Sequence, residues 1–449
     1  MNADNNTSSI TSDQPQTPLP NDVGERTLTK VANRLIPYMF SLYILSYLDR
    51  INVSFAGLQM YTDLKMTDED FGFGLAIFFI GYFLFGAPGN LAMEKIGARK
   101  WISAIMVVWG AITMALALAN SIHSFYILRF FLGAAEAGFF PGMILYLTYW
   151  FPEKQRGVAV AKFMAAIPAA GVLGGLISSK ILEMGGLMGL PGWKWLFLIT
   201  GFPSILMGFV TLFFLTDKPE SAKWLTAEEK SWLKAEVERD RVKAAAEKSS
   251  VKLFSRETTG SLILLSLLYF SLTLGMYGFQ LWLPKIIKGF GGLTDGQTAL
   301  VTVLPAIFQA FGMILIAKSS ERAGERRLHV AASATIAAVG FILTSMISDP
   351  LLSLVTLSIT AFGIWGTVGP FWSLGTSILP NRVKAAGIGF VNSTGNLGGF
   401  VGPYIVGAIK QSTGSFHYGL YTMACSLLIA GLLSFFSEKL LKKGTRIES

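Results

Sequence analysis

Apolar runs of bilayer-spanning length recur along almost the whole chain, separated by short polar stretches. Twelve can be marked, at residues 33–57, 71–93, 101–119, 124–150, 158–182, 193–215, 259–284, 297–317, 329–347, 351–377, 384–409 and 416–437. Each comes close to the ~20 residues an α-helix needs to cross a hydrocarbon core about 30 Å thick. Lipid offers no partner for backbone N–H and C=O groups, so each run predicts a helix. The rhythm breaks after the sixth run, where residues 217–257 are dense in Glu and Lys. Within this stretch Leu225–Lys248 reads as a surface helix, with Thr226 as its N-cap and Glu228 and Glu229 in its first turn. The pattern predicts an all-α membrane protein with 12 transmembrane helices in two six-helix bundles, at 29–216 and 258–437. Residues 217–257 form the linker, and residues 1–28 and 438–449 are expected to be tails, the first of them disordered.

Composition supports this reading. Of 449 residues, 52% are hydrophobic and only 14% charged, and the mean hydropathy is +0.52. Soluble domains carry about 25% charged residues. The net charge of +9 does not point to nucleic acid, because the basic residues sit in short loops between apolar runs. Their distribution sets an orientation instead. With the N-terminus in the cytoplasm, the tails and even-numbered loops hold 29 Lys and Arg against six in the odd-numbered loops. By the positive-inside rule both termini are expected in the cytoplasm, with the chain in the inner membrane. The single cysteine, Cys425, excludes an intrachain disulfide, and the polar first 24 residues contain no signal-peptide core.

The two halves repeat. After the second run the chain reads Glu94-Lys95-Ile96-Gly97-Ala98-Arg99-Lys100, and after the eighth Glu321-Arg322-Ala323-Gly324-Glu325-Arg326-Arg327. The same order of acid, base and glycine at matching places implies a duplicated unit, hence two bundles related by an axis along the membrane normal. Glu94, Lys95 and Arg99, with Glu321, Arg322 and Arg326, are expected to form a charge latch between the bundles on the cytoplasmic side. Gly171–Gly175 and Gly395–Gly402 are expected to let helices approach closely.

Ionisable residues inside the runs concentrate in the first half: Asp49 and Arg50 in the first, Arg129 and Glu136 in the fourth. A charge at mid-bilayer costs ~2.5–3.5 kcal/mol on insertion scales, so four of them must face one another or water. Arg129 and Glu136 are seven residues apart, on one helix face about 10 Å from each other. Arginine keeps its charge when desolvated and grips a carboxylate with two parallel hydrogen bonds, so Arg50 and Arg129 are the candidate anion ligands. Asp49 and Glu136 are the candidate proton carriers, since a dry cavity favours the neutral carboxyl. The competing reading is a set of buried ion pairs that only fix packing. Tyr82, Trp372, Asn392, Asn396, Tyr277 and Gln280 carry polar groups into apolar surroundings and are weaker candidates. The sequence holds no His/Cys cluster with metal-ligand spacing and no legible nucleophile–base pair, so neither a metal site nor an enzyme is indicated.

These residues resemble the major facilitator superfamily and, within it, the anion:cation symporter family. The resemblance runs from about Leu35 to Phe436. It rests on Leu48-Asp49-Arg50-Ile51-Asn52, on Arg129-Phe130 through Glu136-Ala137-Gly138-Phe139, on Gly192-Trp193-Lys194-Trp195 and on Ala386-Gly387-Ile388-Gly389. It implies that Asp49 and Glu136 are the protonatable pair, that Arg50 and Arg129 meet the substrate, and that Tyr82, Trp372 and Asn392 line its cavity. Two departures narrow the expectation. Some sugar-acid carriers place a glutamine where this chain reads Ala166-Ile167-Pro168-Ala169, which suggests a shorter or more apolar anion. The antiporter signature of the fifth span is absent, the chain reading Gly171-Val172-Leu173-Gly174-Gly175. The expected function is proton-coupled uptake of a small organic carboxylate, such as tartrate, a sugar acid or an aromatic acid, by alternating access. No cofactor is expected beyond the coupling ion, a proton with sodium left open. The expected partners are a small organic anion and the lipid bilayer, not nucleic acid, with the protein a monomer. The competing function is export or facilitated passage of a neutral or drug-like solute.

Overall fold

The computed structural model describes residues 21–246, 254–255, 258–380 and 383–446. The tail segments 1–20 and 447–449, and linker residues 247–253 and 256–257, lie outside the described residues. In chain order the first half comprises α1 (Asn21–Asp63), α2 (Asp68–Ile96), α3 (Ala98–Leu116), α4 (Ile122–Glu136), α5 (Phe139–Trp150), α6 (Glu153–Met164), α7 (Ala166–Leu182) and α8 (Gly192–Phe214). The linker carries α9 (Ala227–Ala246). The second half comprises α10 (Thr259–Lys288), α11 (Asp295–Val301), α12 (Val303–Ala323), α13 (Arg327–Met346), α14 (Pro350–Gly366), α15 (Val368–Ile378), α16 (Lys384–Gly395), α17 (Gly398–Thr413) and α18 (His417–Arg446). Paired across short breaks, α4–α5, α6–α7, α11–α12, α14–α15 and α16–α17 each make one span, which gives the twelve transmembrane helices expected.

Four of these five breaks have one cause. Proline has no N–H to give the carbonyl four residues back, and its ring crowds that carbonyl. Pro168, Pro305 and Pro370 point back to Met164, Val301 and Gly366, which are the last residues of α6, α11 and α14. Pro141 points back to Ala137, the residue after α4 ends. Ten spans are long and apolar enough to cross a membrane on composition alone, among the described residues. The other two are α1, which carries Asp49, Arg50 and Asn52 among its apolar residues, and α16–α17, broken at Asn396–Leu397.

Helix neighbours repeat between the halves. In the first, α3 packs on α8, α2 on α4, and α1 on α7 and α8. In the second, α13 packs on α18, α12 on α14, and α10 on α17 and α18. The halves meet where α2 crosses α17, α7 crosses α11 and α12, and α1 faces α10. Small residues permit these contacts: a Cβ on Gly72 would come within 2.8 Å of the Pro403 carbonyl oxygen, and one on Gly175 within 2.9 Å of that of Ala299.

The contacts between halves crowd towards the end opposite the linker. There Lys285 on α10 pairs with Asp68 at the start of α2, Nζ to Oδ1 3.5 Å, and lies 3.3 Å from the centre of the Tyr61 ring. The Asp68 N–H donates to Gln411 Oε1 at 3.1 Å, and the Tyr404 hydroxyl to Glu69 Oε1 at 3.0 Å. At the linker end the halves part. Phe83, Leu84 and Phe85 on α2, and Ala386, Gly389 and Ser393 on α16, are exposed. The structure is closed at the far end and open at the linker end.

The expected latch is therefore not formed in this conformation. Arg99 pairs instead with Asp217 at the start of the linker, its backbone N–H donating to Oδ1 at 2.8 Å and its Nε lying 3.9 Å from Oδ2. Glu94, Lys95, Glu321 and Arg322 are exposed at helix ends, and Arg326 is partly exposed. No ion pair joins the two heptads among the described residues, because the gap at this end separates them.

The first helix begins earlier than the hydrophobic pattern suggests, at Asn21. Its extra turns are held by the linker. Thr226 and Glu229 form the predicted capping box of α9: the Glu229 N–H donates to Thr226 Oγ1 at 3.2 Å, and the Thr226 N–H to Glu229 Oε2 at 2.8 Å. Lys30 reaches the same carboxylate at 2.9 Å. At the other end of α1, Trp193 Nε1 donates to Asp63 Oδ2 at 2.6 Å and the Trp193 N–H to Gln59 Oε1 at 3.0 Å. Both ends of α1 are thus anchored, which fixes where its central charges lie.

Candidate substrate site

Arg50 stands at the meeting of the halves, about two-thirds of the way along α1. Its Nη2 lies 3.2 Å from Glu136 Oε2, and its Nη1 donates to the Tyr277 hydroxyl of α10 at 3.4 Å. Aromatic rings surround the guanidinium: Tyr82 at 5.0 Å, Phe78 at 5.3 Å and Tyr47 at 5.9 Å from ring centre to Cζ. A cation beside ring faces gains stabilisation without its charge being neutralised. One hydrogen bond links the halves beside it, from the Tyr47 hydroxyl to Gln280 Oε1 at 2.7 Å.

Phe78 occupies its place because α2 and α4 are in backbone contact. A Cβ on Gly133 would run into the Phe78 carbonyl oxygen, and one on Gly81 into that of Phe130. The Phe78 ring also covers Arg129, whose Cζ is 4.8 Å from the ring centre. Two guanidinium groups thus share one ring.

Of the four intramembrane charges, only Arg50 and Glu136 are in direct contact. Asp49 is 0% exposed and turns into the first half, accepting from Ser204 Oγ at 2.8 Å and from Asn52 Nδ2 at 3.4 Å. Asn52 donates in turn to Thr200 Oγ1 at 2.9 Å, so Asp49 is tied to α8. Arg129 is also 0% exposed; its Nε donates to the Gly74 carbonyl at 3.3 Å, and its Nη1 and Nη2 meet no acceptor among the described residues. The sequence reading has the four face one another or water; in the structure only Arg50 and Glu136 meet, the 100° step between Asp49 and Arg50 turning Asp49 towards α8 and Arg50 towards α10, with Arg129 beside the Phe78 ring.

Of the weaker candidates, Tyr82 joins the Arg50 cluster directly. Trp372 packs instead on Tyr269 of α10, the ring centres 4.9 Å apart, and Tyr269 also stacks on Phe371 at 4.8 Å. Asn392 is partly buried on α16 and accepts from Asn396 Nδ2 at its Oδ1, 3.2 Å. Sequence reasoning missed Tyr47. It lies three residues before Arg50, on the same helix face, and that spacing was the available signal. Tyr269 was missed as well, and nothing in its local sequence distinguishes it.

A model of the Major Facilitator Superfamily matches residues 39–403. The chain belongs to this superfamily. It is a multi-pass membrane transporter and not an enzyme. A protein named "Putative tartrate transporter" in Agrobacterium vitis is 45% identical over 92% of this chain and 92% of its own length. A "Quinolone resistance transporter" of Acinetobacter baumannii is 38% identical over 92% of this chain and 95% of its own length. Among solved structures, a bacterial homologue of the human lysosomal transporter Spinster superposes with a TM-score of 0.74. It covers 93% of this chain and 98% of that one, at 17% identity, which speaks to the fold alone. The superfamily assignment and these relatives agree with the resemblance to the anion:cation symporters.

Proposed function

We propose that this superfamily member takes up a small organic carboxylate together with protons, with Arg50 as the anion ligand and Glu136 as the competing group. The observation that carries this reading is the single Arg50–Glu136 contact of 3.2 Å at the seam of the halves. A substrate carboxylate seeks the same guanidinium edge that Glu136 occupies. Protonating Glu136 weakens its hold and releases Arg50 to the substrate; losing that proton draws Arg50 back and expels the anion. Proton and anion then travel together because one guanidinium cannot satisfy two carboxylates. The relatedness to a tartrate-transporter sequence supports a hydroxy-acid or similar anion, and the tyrosines around Arg50 offer hydroxyls to it.

Asp49, tied to Ser204 and Asn52, is the second proton site in this reading, acting on the packing of α1 against α8. Arg129 balances its charge from beneath Phe78. Tyr82, Trp372 and Asn392 line the path. Counting basic residues puts the linker end in the cytoplasm of the inner membrane, so the structure corresponds to the state that releases substrate inward. When that end closes, Glu94, Lys95 and Arg99 meet Glu321, Arg322 and Arg326 across the gap.

The test is uptake into proteoliposomes carrying the purified protein, with an imposed proton gradient and a panel of carboxylates. Accumulation of a carboxylate that collapses with the gradient supports the reading. The quinolone-resistance relative makes outward movement of a drug-like solute the competing result. Quinolone transport in the export direction, with no carboxylate accumulation, would overturn the proposal.

A further inference from the structure

At the linker end of the first half, two adjoining cavities of about 590 and 680 Å³ share Arg34, Phe214 and Trp224. Their polar wall is basic: Arg34 comes from α1, Arg99 from the first turn of α3, and Lys223 from the segment ahead of α9. Asp217 is the one acidic residue of the lining. The other wall is largely apolar, formed by Pro37, Tyr38 and Phe214, and it runs out to Phe213, which is 89% exposed.

Donors in this place are not used up within the protein. Arg34 Nε and Trp224 Nε1 are buried atoms without a hydrogen-bond partner, and Arg99 Nε has only a 3.9 Å ion pair with Asp217 Oδ2, too long for a hydrogen bond. Arg34 is held between two rings, its Cζ 4.7 Å from the centre of Phe214 and 5.1 Å from that of Trp224. The rings fix the guanidinium without accepting from it in the plane. By contrast, Lys30 at the rim is engaged by Glu229 at 2.9 Å. Buried donors without an acceptor are uncommon and costly, and two of them beside the loosely held Arg99 mark a place for an anion.

Position identifies the anion. Arg34 lies at the start of the first apolar run and Phe214 at the end of the sixth, which is the depth of lipid headgroups. From Arg34 to Pro37 and Tyr38 the groove descends along α1 into the apolar layer. A free phosphate satisfies the donors but leaves the apolar wall uncovered. A phospholipid covers both. We propose that this groove binds an anionic phospholipid, its phosphodiester on Arg34, Arg99, Lys223 and Trp224 and an acyl chain along Pro37, Tyr38 and Phe214. The lipid touches α1, α3, α8 and the linker segment at once, and so fastens the linker to the first half.

The full chain, purified and placed in nanodiscs, tests this by native mass spectrometry and thermal unfolding. Phosphatidylglycerol is compared with phosphatidylcholine and, in detergent, with inorganic phosphate. Phosphatidylglycerol should be retained and should raise the unfolding temperature, while phosphatidylcholine should not. Arg34→Gln and Lys223→Gln should each weaken phosphatidylglycerol binding about fivefold. The Lys223 side chain is exposed, so that variant leaves the fold intact. Equal binding of the two lipids, or unchanged phosphatidylglycerol binding in both variants, overturns the proposal. So does stabilisation by millimolar phosphate that equals and displaces the lipid, which would make the ligand a free anion. None of these readouts depends on transport, so the lipid site can fail while the carboxylate reading stands.

Discussion

Arg50 Nη2 lies 3.2 Å from Glu136 Oε2, while Nη1 of the same guanidinium touches the Tyr277 hydroxyl of the other half. One side chain thus connects an acid of the first bundle to the second bundle. Its remaining nitrogen, Nε, has no partner among the described residues. Such a group can exchange a protein carboxylate for a substrate carboxylate without losing its hydrogen bonds, and most of the expected behaviour follows from that exchange.

Glu136→Gln removes the competitor. Anion binding should become nearly independent of pH, whereas in the parent protein it should strengthen as pH falls and Glu136 takes a proton. Counterflow exchange should persist and proton-driven accumulation should be lost. Substrate binding at several pH values, followed by uptake with and without a gradient, measures both. Retained uphill uptake would remove Glu136 from the coupling.

Arg50→Lys keeps the charge but loses the planar fork that meets a carboxylate with two hydrogen bonds. Affinity should fall by about one to two orders of magnitude, the scale of a charge-assisted bond of ~1.5–3 kcal/mol. Isothermal titration with the transported carboxylate reads this directly, and unchanged affinity would take Arg50 out of the site.

Lys285 clamps the far end through Asp68 and the Tyr61 ring. Lys285→Gln removes a partly buried ion pair and a cation–π contact, together of the order of 1 kcal/mol, so the balance should move several-fold towards the state closed at the linker end. Spin labels at Ile96 and Ala323, on the exposed ends of α2 and α12, should then show a larger short-distance population. Cys425 is exposed and must first be replaced by serine. An unaltered distance distribution would mean that the clamp does not set the equilibrium.

Glu229, only 3% exposed at the side chain, fastens the linker to α1. Burial alone would raise its pKa, but the Thr226 N–H, then Lys30 and Arg26, outweigh burial and hold the carboxyl below the ordinary glutamate value. The sign follows: the folded state binds the proton less readily than the unfolded one, so Glu229 stabilises the fold above the ordinary glutamate range. That contribution disappears as pH falls through the lowered value. Glu229→Gln keeps an acceptor for the Thr226 N–H but loses the ion pairs to Lys30 and Arg26, and should cost up to about 1 kcal/mol at neutral pH and close to nothing in acid. Thermal unfolding at neutral and acidic pH should show the two proteins converging; a constant gap would exclude the charge as the cause.

Much of this protein was legible in one dimension because the bilayer makes it so. A hydrocarbon layer demands apolar runs of fixed length, so the twelve spans and the linker follow from hydropathy. The Thr226–Glu229 cap was equally legible, since its partners are three residues apart. The four intramembrane charges could be named for the same reason: in lipid, each is too costly to be incidental. Which of them touch could not be read. Arg50 and Glu136 are 86 residues apart and Lys285 and Asp68 217, and such pairings depend on how helices rotate about their own axes. That rotation is set by packing on every face at once, through Gly81 against Phe130, Gly133 against Phe78 and Trp193 against Asp63. The tertiary structure alone decided that Asp49 turns inward, that Phe78 covers Arg129, and that the molecule opens at the linker end. No local pattern encodes those outcomes, because each is a balance of contacts between helices far apart in the chain.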